Sequence, residues 1–220
     1  MSQSGFIGID LTSSPAKPSA CVGLSADLDL AFAGQLVEDA DLLALVSVEE
    51  PLVVAIDAPL SLPHGLCSLE ESADCQPESG NGRECERQLA RLGIPCYFTT
   101  KRSIIKSMVY RGIGLKTELE GRGFRVIEVY PYASKVCLWG RPIPRKSSRE
   151  GIAFLRAKLV ELMPGLDPYA ADFDHDLCDA AVAAYTACLH HRNGTEAVGS
   201  SGEGGIWLPS QGVPSRSNLR

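Results

Sequence analysis

The sequence lacks long apolar runs, and this absence bears on where the protein works. No stretch reaches the roughly 18 consecutive apolar residues of a membrane span, and residues 1–4 place no basic region before an apolar core. We therefore expect no membrane partner and a cytoplasmic location. The 220 residues are 45% hydrophobic and 22% charged, which is typical of a globular protein. We predict a single domain over residues 1–210 and a disordered tail over residues 211–220.

Closely spaced cysteine pairs are also missing. Four of the eight cysteines fall in one window beside His64. They are separated by seven, nine and ten residues, a spacing that matches no short zinc-binding motif. We therefore expect reduced thiols that act as small buried apolar side chains. A zinc site remains the lesser alternative, and its ligands would be Cys67, Cys75, Cys85 and Cys96.

Positive charge is scarce overall, which taken alone argues against a nucleic-acid partner. The net charge is −6, but residues 83–125 carry ten basic and four acidic side chains, or +6, so the remaining residues carry −12. A second basic loop lies at residues 141–149. A basic segment on an acidic body predicts a surface that faces phosphates, although a solvated helix face gives the same pattern. The predicted nucleic-acid contacts are Arg83, Arg87, Lys101, Arg102, Lys106, Arg145 and Lys146.

Acidic residues close three apolar runs that are typical of buried strands. Residues 5–10 end in Asp10, residues 52–57 end in Asp57, and residues 124–131 carry Glu128 close to their end, where Pro131 terminates the strand. If the first two strands are central and parallel, Asp10 and Asp57 meet at one edge of the sheet. A simpler reading is that Asp10 only caps the turn that follows it.

Helical patterns fill most of the remaining chain. We predict helices over residues 39–48, 84–92, 104–119 (interrupted at Gly112 and Gly114), 151–163 and 172–191. Residues 64–122 are interpreted as a mostly helical, cysteine-containing, basic insertion. The last helix carries Asp176 and Asp179 on one face, with His175 beside them. Asp172 and Asp174 are explained equally well as helix caps.

These elements predict an α/β fold of the RNase H-like type, in which an antiparallel three-strand meander continues into parallel strands and helices flank the mixed sheet. Clustered carboxylates repel one another unless cations lie between them, and hard oxygen ligands favour Mg²⁺ or Mn²⁺. We predict a two-metal site for phosphodiester hydrolysis. Its metal ligands would be Asp10, Asp57, Asp176 and Asp179, while Glu128 and His175 complete the predicted catalytic set as a further ligand and a proton shuttle.

Five segments, residues 8–14, 55–63, 83–87, 126–131 and 175–180, resemble the domain of unknown function 429 family, whose members are described as predicted RNase H-fold nucleases. The resemblance covers the chain from Gly8 to Pro209 with its elements in order. It implies, by likeness to Holliday-junction resolvases and RNase H, that Asp10 and Asp57 are core metal ligands and that Asp176 or Asp179 completes the site.

Two other functions remain open from the sequence. An ATP-binding phosphotransferase or ATPase of the actin-like type would use residues 8–14 as a phosphate loop, but Asp57 is followed by Ala58-Pro59 instead of the glycines such a site needs. A non-catalytic RNase H-fold binding module would keep the acids without using them. The sequence predicts a nucleic-acid partner without separating DNA from RNA, and it leaves the oligomeric state open, with a dimer as one alternative.

Overall fold

Among the residues that the structure describes, seven strands form one mixed sheet, and their order positions the site. The computed structural model describes residues 4–14, 16–200 and 202–210, so the predicted tail at 211–220 lies outside the described residues. The strands are β1 (Phe6–Asp10), β2 (Ser19–Leu24), β3 (Leu30–Leu36), β4 (Val53–Asp57), β5 (Val126–Val129), β6 (Thr195–Ser200) and β7 (Gly204–Pro209). Their order across the sheet is β3-β2-β1-β4-β5-β7-β6.

Both kinds of strand pairing occur, as the sequence predicts. The pairs β1–β2, β2–β3 and β6–β7 are antiparallel, whereas β1–β4, β4–β5 and β5–β7 are parallel. The first three strands therefore form the predicted antiparallel meander, and β1 begins the parallel part of the sheet. The predicted RNase H-like fold class is confirmed.

Helices cover both faces of this sheet. They are α1 (Asp39–Glu49), α2 (Glu84–Arg91), α3 (Lys106–Gly121), α4 (Pro131–Trp139), α5 (Arg149–Leu162) and α6 (His175–His191), with a 3-10 helix at Pro164–Asp172. One face of β1 and β4 packs with α1 and α3 in a shared apolar cluster. The opposite face packs against α6, and α5 lies beyond it. Within the described ranges, no helix is long and apolar enough to cross a membrane.

Helix α6 lies unusually close to β1 because both contribute small side chains. Ala180, Ala183 and Ala184 are fully buried on its sheet side. A Cβ atom placed on Gly8 of β1 would overlap the backbone of Ala180 and Ala184. The glycine is therefore required for this approach, which brings the first turns of α6 to the end of β1.

The predicted interruption of one helix is wrong, and another helix was not predicted from the sequence. Helix α3 runs without interruption through Gly112 and Gly114. At Gly112 a Cβ would stand 2.9 Å from the carbonyl oxygen of Pro59, so this glycine provides room for packing and does not break the helix. Helix α4 was not predicted, although Pro131 occupies its first turn, a position that suits proline because no backbone N–H is needed there.

Candidate functional site

Strand alternation places two aspartates together. Successive side chains on a strand point to opposite faces, and in β1 Phe6 packs on the α6 side while Ile7 packs on the other. Asp10 therefore projects toward α6. The parallel register pairs Asp10 directly with Asp57 of β4, which gives Asp57 the same orientation at the same sheet edge.

Helix α6 adds a third carboxylate at this edge. The Asp174 side chain caps the helix by accepting hydrogen bonds from the backbone N–H groups of Asp176 and Leu177. One turn later Asp179 is 4% exposed. Because its carboxylate lies beyond the helix cap, it is available to side chains from other elements.

Two lysines bind Asp179. The Nζ atom of Lys135, from α4, lies 2.6 Å from Asp179 Oδ1, and the Nζ atom of Lys146 lies 2.7 Å from Oδ2. Lys146 also lies 3.8 Å from Asp176 Oδ1. In the part of the chain that the structure describes, none of the ion pairs at this edge involves Asp10 or Asp57.

The electrostatics follow from this arrangement. Burial raises the pKa of Asp10 well above its usual range, and the charges of Asp57 and Asp179 raise it further. Burial and the charge of Asp179 raise the pKa of Asp57 to about 8. Burial alone would lower the pKa of Lys146, but the neighbouring carboxylates outweigh it and raise this pKa. At neutral pH the Asp10–Asp57 pair therefore favours a bound proton or another cation.

A cavity of about 430 Å³ opens over the acids. Asp10, Asp57 and Asp179 lie in its wall together with Lys135 and Lys146. Much of the remaining wall is apolar or aromatic, and it comes from the 64–122 segment, the end of β5, the start of α4 and the loop before α5. The carboxylates are therefore reachable by a ligand while remaining largely shielded from bulk water.

The model of the family described as Protein of unknown function (DUF429) matches residues 8–200. The chain belongs to this family. The resemblance predicted from the sequence is thereby confirmed. Among solved structures, the chain is similar to one titled "Thermus thermophilus RuvC structure", with 14% identity and a TM-score of 0.47 over 92% of this chain and 98% of that chain. A search of curated proteins finds no match.

In this DUF429 chain Glu128 lines the same cavity as Asp10 and Asp57, but its side chain leaves the sheet on the other face. It is paired in register with Ile56, whose side chain faces α1 and α3, so Glu128 leaves the sheet on the face opposite to Asp57. Its two oxygens accept hydrogen bonds from Arg83 at 2.6 and 2.7 Å and from the backbone N–H of Leu60 at 2.8 Å. Glu128 therefore anchors the segment that covers the site.

Arg83, the ion-pair partner of Glu128, is buried. It was predicted to contact nucleic acid, but it is 1% exposed and its guanidinium is bound to Glu128 and Glu86. Glu86 also accepts hydrogen bonds from the backbone N–H and the hydroxyl of Thr99. The buried network ties α2 and the chain around residue 99 to β5.

The remaining predicted nucleic-acid contacts divide into two groups. Arg87 is bound to Glu84 and to the carbonyl oxygens of Ser79 and Gly82, and Lys101 is bound to the carbonyl oxygen of Ala73. These contacts fix the conformation of the 64–122 segment. The others are more accessible: Arg102 and Arg145 are exposed, Lys106 is half-buried, and Arg145 and Lys146 line the cavity.

His175 and Asp176 lie at the margin of the site. His175 Nδ1 is 2.6 Å from Asp176 Oδ1, and neither residue is among those that line the cavity. Asp176 is linked to the acids only through Lys146. The predicted proton shuttle therefore has no direct contact with Asp10 or Asp57 among the described residues.

The cysteines do not form the alternative zinc site. A disulfide joins Cys67 and Cys75, which also shows that the expectation of thiols throughout is wrong for this pair. Cys85 is buried and Cys96 is half-buried. Over residues 4–14, 16–200 and 202–210, no group of three or more His, Cys, Asp or Glu side chains is arranged to hold a metal ion.

Lys135 and the aromatic wall of the cavity were not predicted from the sequence. Lys135 is only 2% exposed, and a lysine is seldom buried without a partner. Pro131 is the sequence signal that could have predicted its position. It marks the first turn of α4 and so places Lys135 one turn into a helix. Tyr97 and Tyr132 gave no such signal, since their position depends on how the loops fold over the sheet.

Proposed function

We propose that this DUF429 chain is a metal-dependent nuclease that hydrolyses phosphodiester bonds in nucleic acid. The observation that carries the proposal is the register pairing of Asp10 with Asp57 at one sheet edge, inside a cavity and with no basic side chain bound to either one among the described residues. Two adjacent carboxylates with raised pKa values and no partner form an electrostatically unfavourable pair. A bound cation would relieve it.

The donor set fits one divalent ion better than the two that the sequence predicts. Asp10 and Asp57 offer carboxylate oxygens, which suit Mg²⁺ or Mn²⁺. Asp179 has both oxygens bound to lysines, and Asp176 faces Lys146 at 3.8 Å. The four acids therefore do not form a joint ligand set. When bound, the ion would supply Lewis acidity and a water of lowered pKa.

The side chains around this pair have distinct roles in the proposed reaction. Lys135 is buried against Asp179 and keeps that carboxylate compensated, so Asp179 in turn orients Lys146. The Lys146 side chain is 45% exposed, and its ammonium group lies where it can also donate a hydrogen bond to a phosphate oxygen. Its positive charge would stabilise the negative charge that develops on the phosphoryl group.

Accessible positive charge near the cavity supports a polyanionic substrate. Arg145 and Lys146 belong to one loop and both line the cavity, while Arg102 is exposed on the covering segment. Because phosphate contacts release condensed counterions, binding should weaken steeply as salt concentration rises. The acidic remainder of the chain would restrict such binding to this region.

A second function, that of a binding module without hydrolysis, is favoured by one specific contact pattern. Lys135 and Lys146 already provide two positive charges next to Asp179, so the site is partly neutralised without a metal ion. In that case Asp10 and Asp57 would stay protonated or be neutralised only by proximity to Lys146. Nucleic acid would then bind but remain intact.

The test uses purified Asp10→Asn and Asp57→Asn variants with labelled single-stranded, duplex and branched DNA and RNA. We expect wild-type protein to cleave at least one substrate with Mn²⁺ and not with EDTA. The cleavage rate of each variant should fall by more than the roughly 10- to 100-fold that removal of a contact outside the ligand shell costs. Asp27→Asn is the matched control, since Asp27 is exposed in the turn between β2 and β3, near the start of β1 and away from Asp10.

Thermal unfolding separates loss of function from loss of fold. Without metal, both site variants should melt at or above the wild-type temperature, because each removes one carboxylate from a repelling pair. Intact substrates after incubation with wild-type protein and Mn²⁺ would end the nuclease proposal. Retained, salt-sensitive binding under those conditions would establish the binding module in its place.

A further inference from the structure

The cavity is much larger than its acidic end requires. Asp10 and Asp57 occupy one part of a space of about 430 Å³, a volume within the range of pockets that enclose small organic ligands. A phosphodiester group at the acids would fill only that part. The substituents that a phosphodiester carries on either side must then occupy the rest.

The rest of the cavity is built for a flat apolar group. Its wall contains the side chains of Tyr97, Met108, Tyr130, Tyr132 and Ile143. Aromatic and apolar faces of this kind bind unstacked bases, because every base has a π-face that stacks on an aromatic ring. By contrast, a sugar alone would leave most of these aromatic and apolar faces without a contact.

Part of this wall is held in place before any ligand arrives. The hydroxyl of Tyr130 donates a hydrogen bond to the carbonyl oxygen of Pro95 at 2.7 Å, and the ring of Tyr130 lies 6.1 Å from that of Tyr132. Arg83 and Glu128, which also line the cavity, fix the covering segment to β5 through their ion pair. The aromatic wall is therefore attached to the same strand system that carries the acids.

The mouth of the cavity carries apolar surface that has no partner among the described residues. Tyr97 lines the cavity and is 64% exposed, and it belongs to the segment that covers the acids. Arg145 and Lys146 provide positive charge on another part of the cavity wall. Aromatic surface beside positive charge is the combination that binds single-stranded nucleic acid.

We propose that this cavity receives one unpaired nucleobase next to the phosphodiester held at Asp10 and Asp57, so that the substrate is single-stranded or locally unpaired nucleic acid. The inference rests on the proposed function. In a duplex both faces of every base are stacked, and a base must leave the stack before it can enter an enclosed pocket. Duplex substrates should therefore react only where bases are mismatched, flapped or frayed.

The test measures base stacking and cleavage separately. Single-stranded DNA and RNA oligonucleotides carrying one fluorescent adenine analogue are titrated with protein in EDTA, and quenching reports stacking. Tyr97→Ala should weaken binding roughly 5- to 150-fold, the range expected for one lost base–aromatic contact, whereas Tyr97→Phe should retain it. The matched control is Tyr169→Ala, because Tyr169 is 50% exposed and lies in the 3-10 helix outside the cavity.

Each outcome decides one of the two proposals. Equal affinity of wild-type and Tyr97→Ala protein, or cleavage of perfect duplex as fast as of single strands, would overturn the base-binding inference and leave the nuclease intact. Quenching that depends on Tyr97, without any Mn²⁺-dependent cleavage, would support the base site and overturn the nuclease. The comparison of DNA with RNA oligonucleotides identifies which sugar the site accepts.

Discussion

Replacing Arg83 by methionine tests how the site is covered. The substitution keeps an unbranched side chain and removes the guanidinium charge that lies between Glu86 and Glu128. Glu86 retains hydrogen bonds from the backbone N–H of Arg83 and from Thr99, whereas Glu128 keeps only the backbone N–H of Leu60. The unpaired charge therefore falls mainly on Glu128, which is 6% exposed.

The expected magnitude follows from this burial. Leaving one partner of a buried ion pair uncompensated costs about 3–5 kcal/mol, a large share of the roughly 5–15 kcal/mol that stabilises a typical domain. The matched control is Arg91→Met at the end of α2, the helix whose N-cap is Arg83. Arg91 is 62% exposed in its pair with Glu84, and such surface pairs contribute only about 0–1 kcal/mol.

Urea unfolding of wild type and both variants measures these costs. Adding Glu128→Gln to Arg83→Met should restore part of the lost stability, because the double variant no longer buries an unpaired charge while glutamine can still accept from Leu60. The prediction is refuted if Arg83→Met lowers the free energy of unfolding no more than Arg91→Met does. It is also refuted if adding Glu128→Gln makes the Arg83→Met protein still less stable.

Two further predictions concern parts of the fold that support the site. Gly8→Ala should lower the free energy of unfolding by about 1–3 kcal/mol or more, because a Cβ there overlaps the backbone of α6. The control is Gly34→Ala, whose Cβ meets no atom within 4 Å and which should change stability little. Equal urea midpoints of the two variants would contradict this prediction. Burial, together with the charge of Arg125, lowers the pKa of His190 from 6.5 to about 4, so the unfolded chain binds the proton more readily and stability should fall as pH drops from about 6.5 to 4. His190→Gln should reduce this loss of stability at low pH. The prediction fails if the free energy of unfolding of the wild type falls no more steeply with decreasing pH than that of the variant.

The sequence predicts the sheet and its two central aspartates because their signals are local. An apolar run that ends in an acid identifies both β1 and β4, and the period of two along each strand then gives Asp10 and Asp57 one orientation. The packing of α6 could also be predicted, since Ala180 and Ala183 leave room for the helix beside the sheet.

The parts that could not be predicted depend on contacts between distant residues. Asp57 is the last residue of β4, whereas Glu128 lies one residue before the end of β5 and pairs with Ile56, so strand alternation turns it to the opposite face. Nothing in the spacing of Arg83 distinguishes it from exposed Arg91 until both partners of its ion pair are seen. Lys135 and Lys146 approach Asp179 from two different parts of the chain, and no spacing in the sequence indicates these ion pairs.

A crystal soaked in Mn²⁺ and measured at the manganese absorption edge tests the central claim most directly. The account predicts a single anomalous peak in contact with Asp10 and Asp57, with Lys135 still bound to Asp179. It also predicts that the peak is lost in Asp57→Asn crystals. No peak at this edge of the sheet, or a peak that persists in the variant, would contradict the proposed metal site.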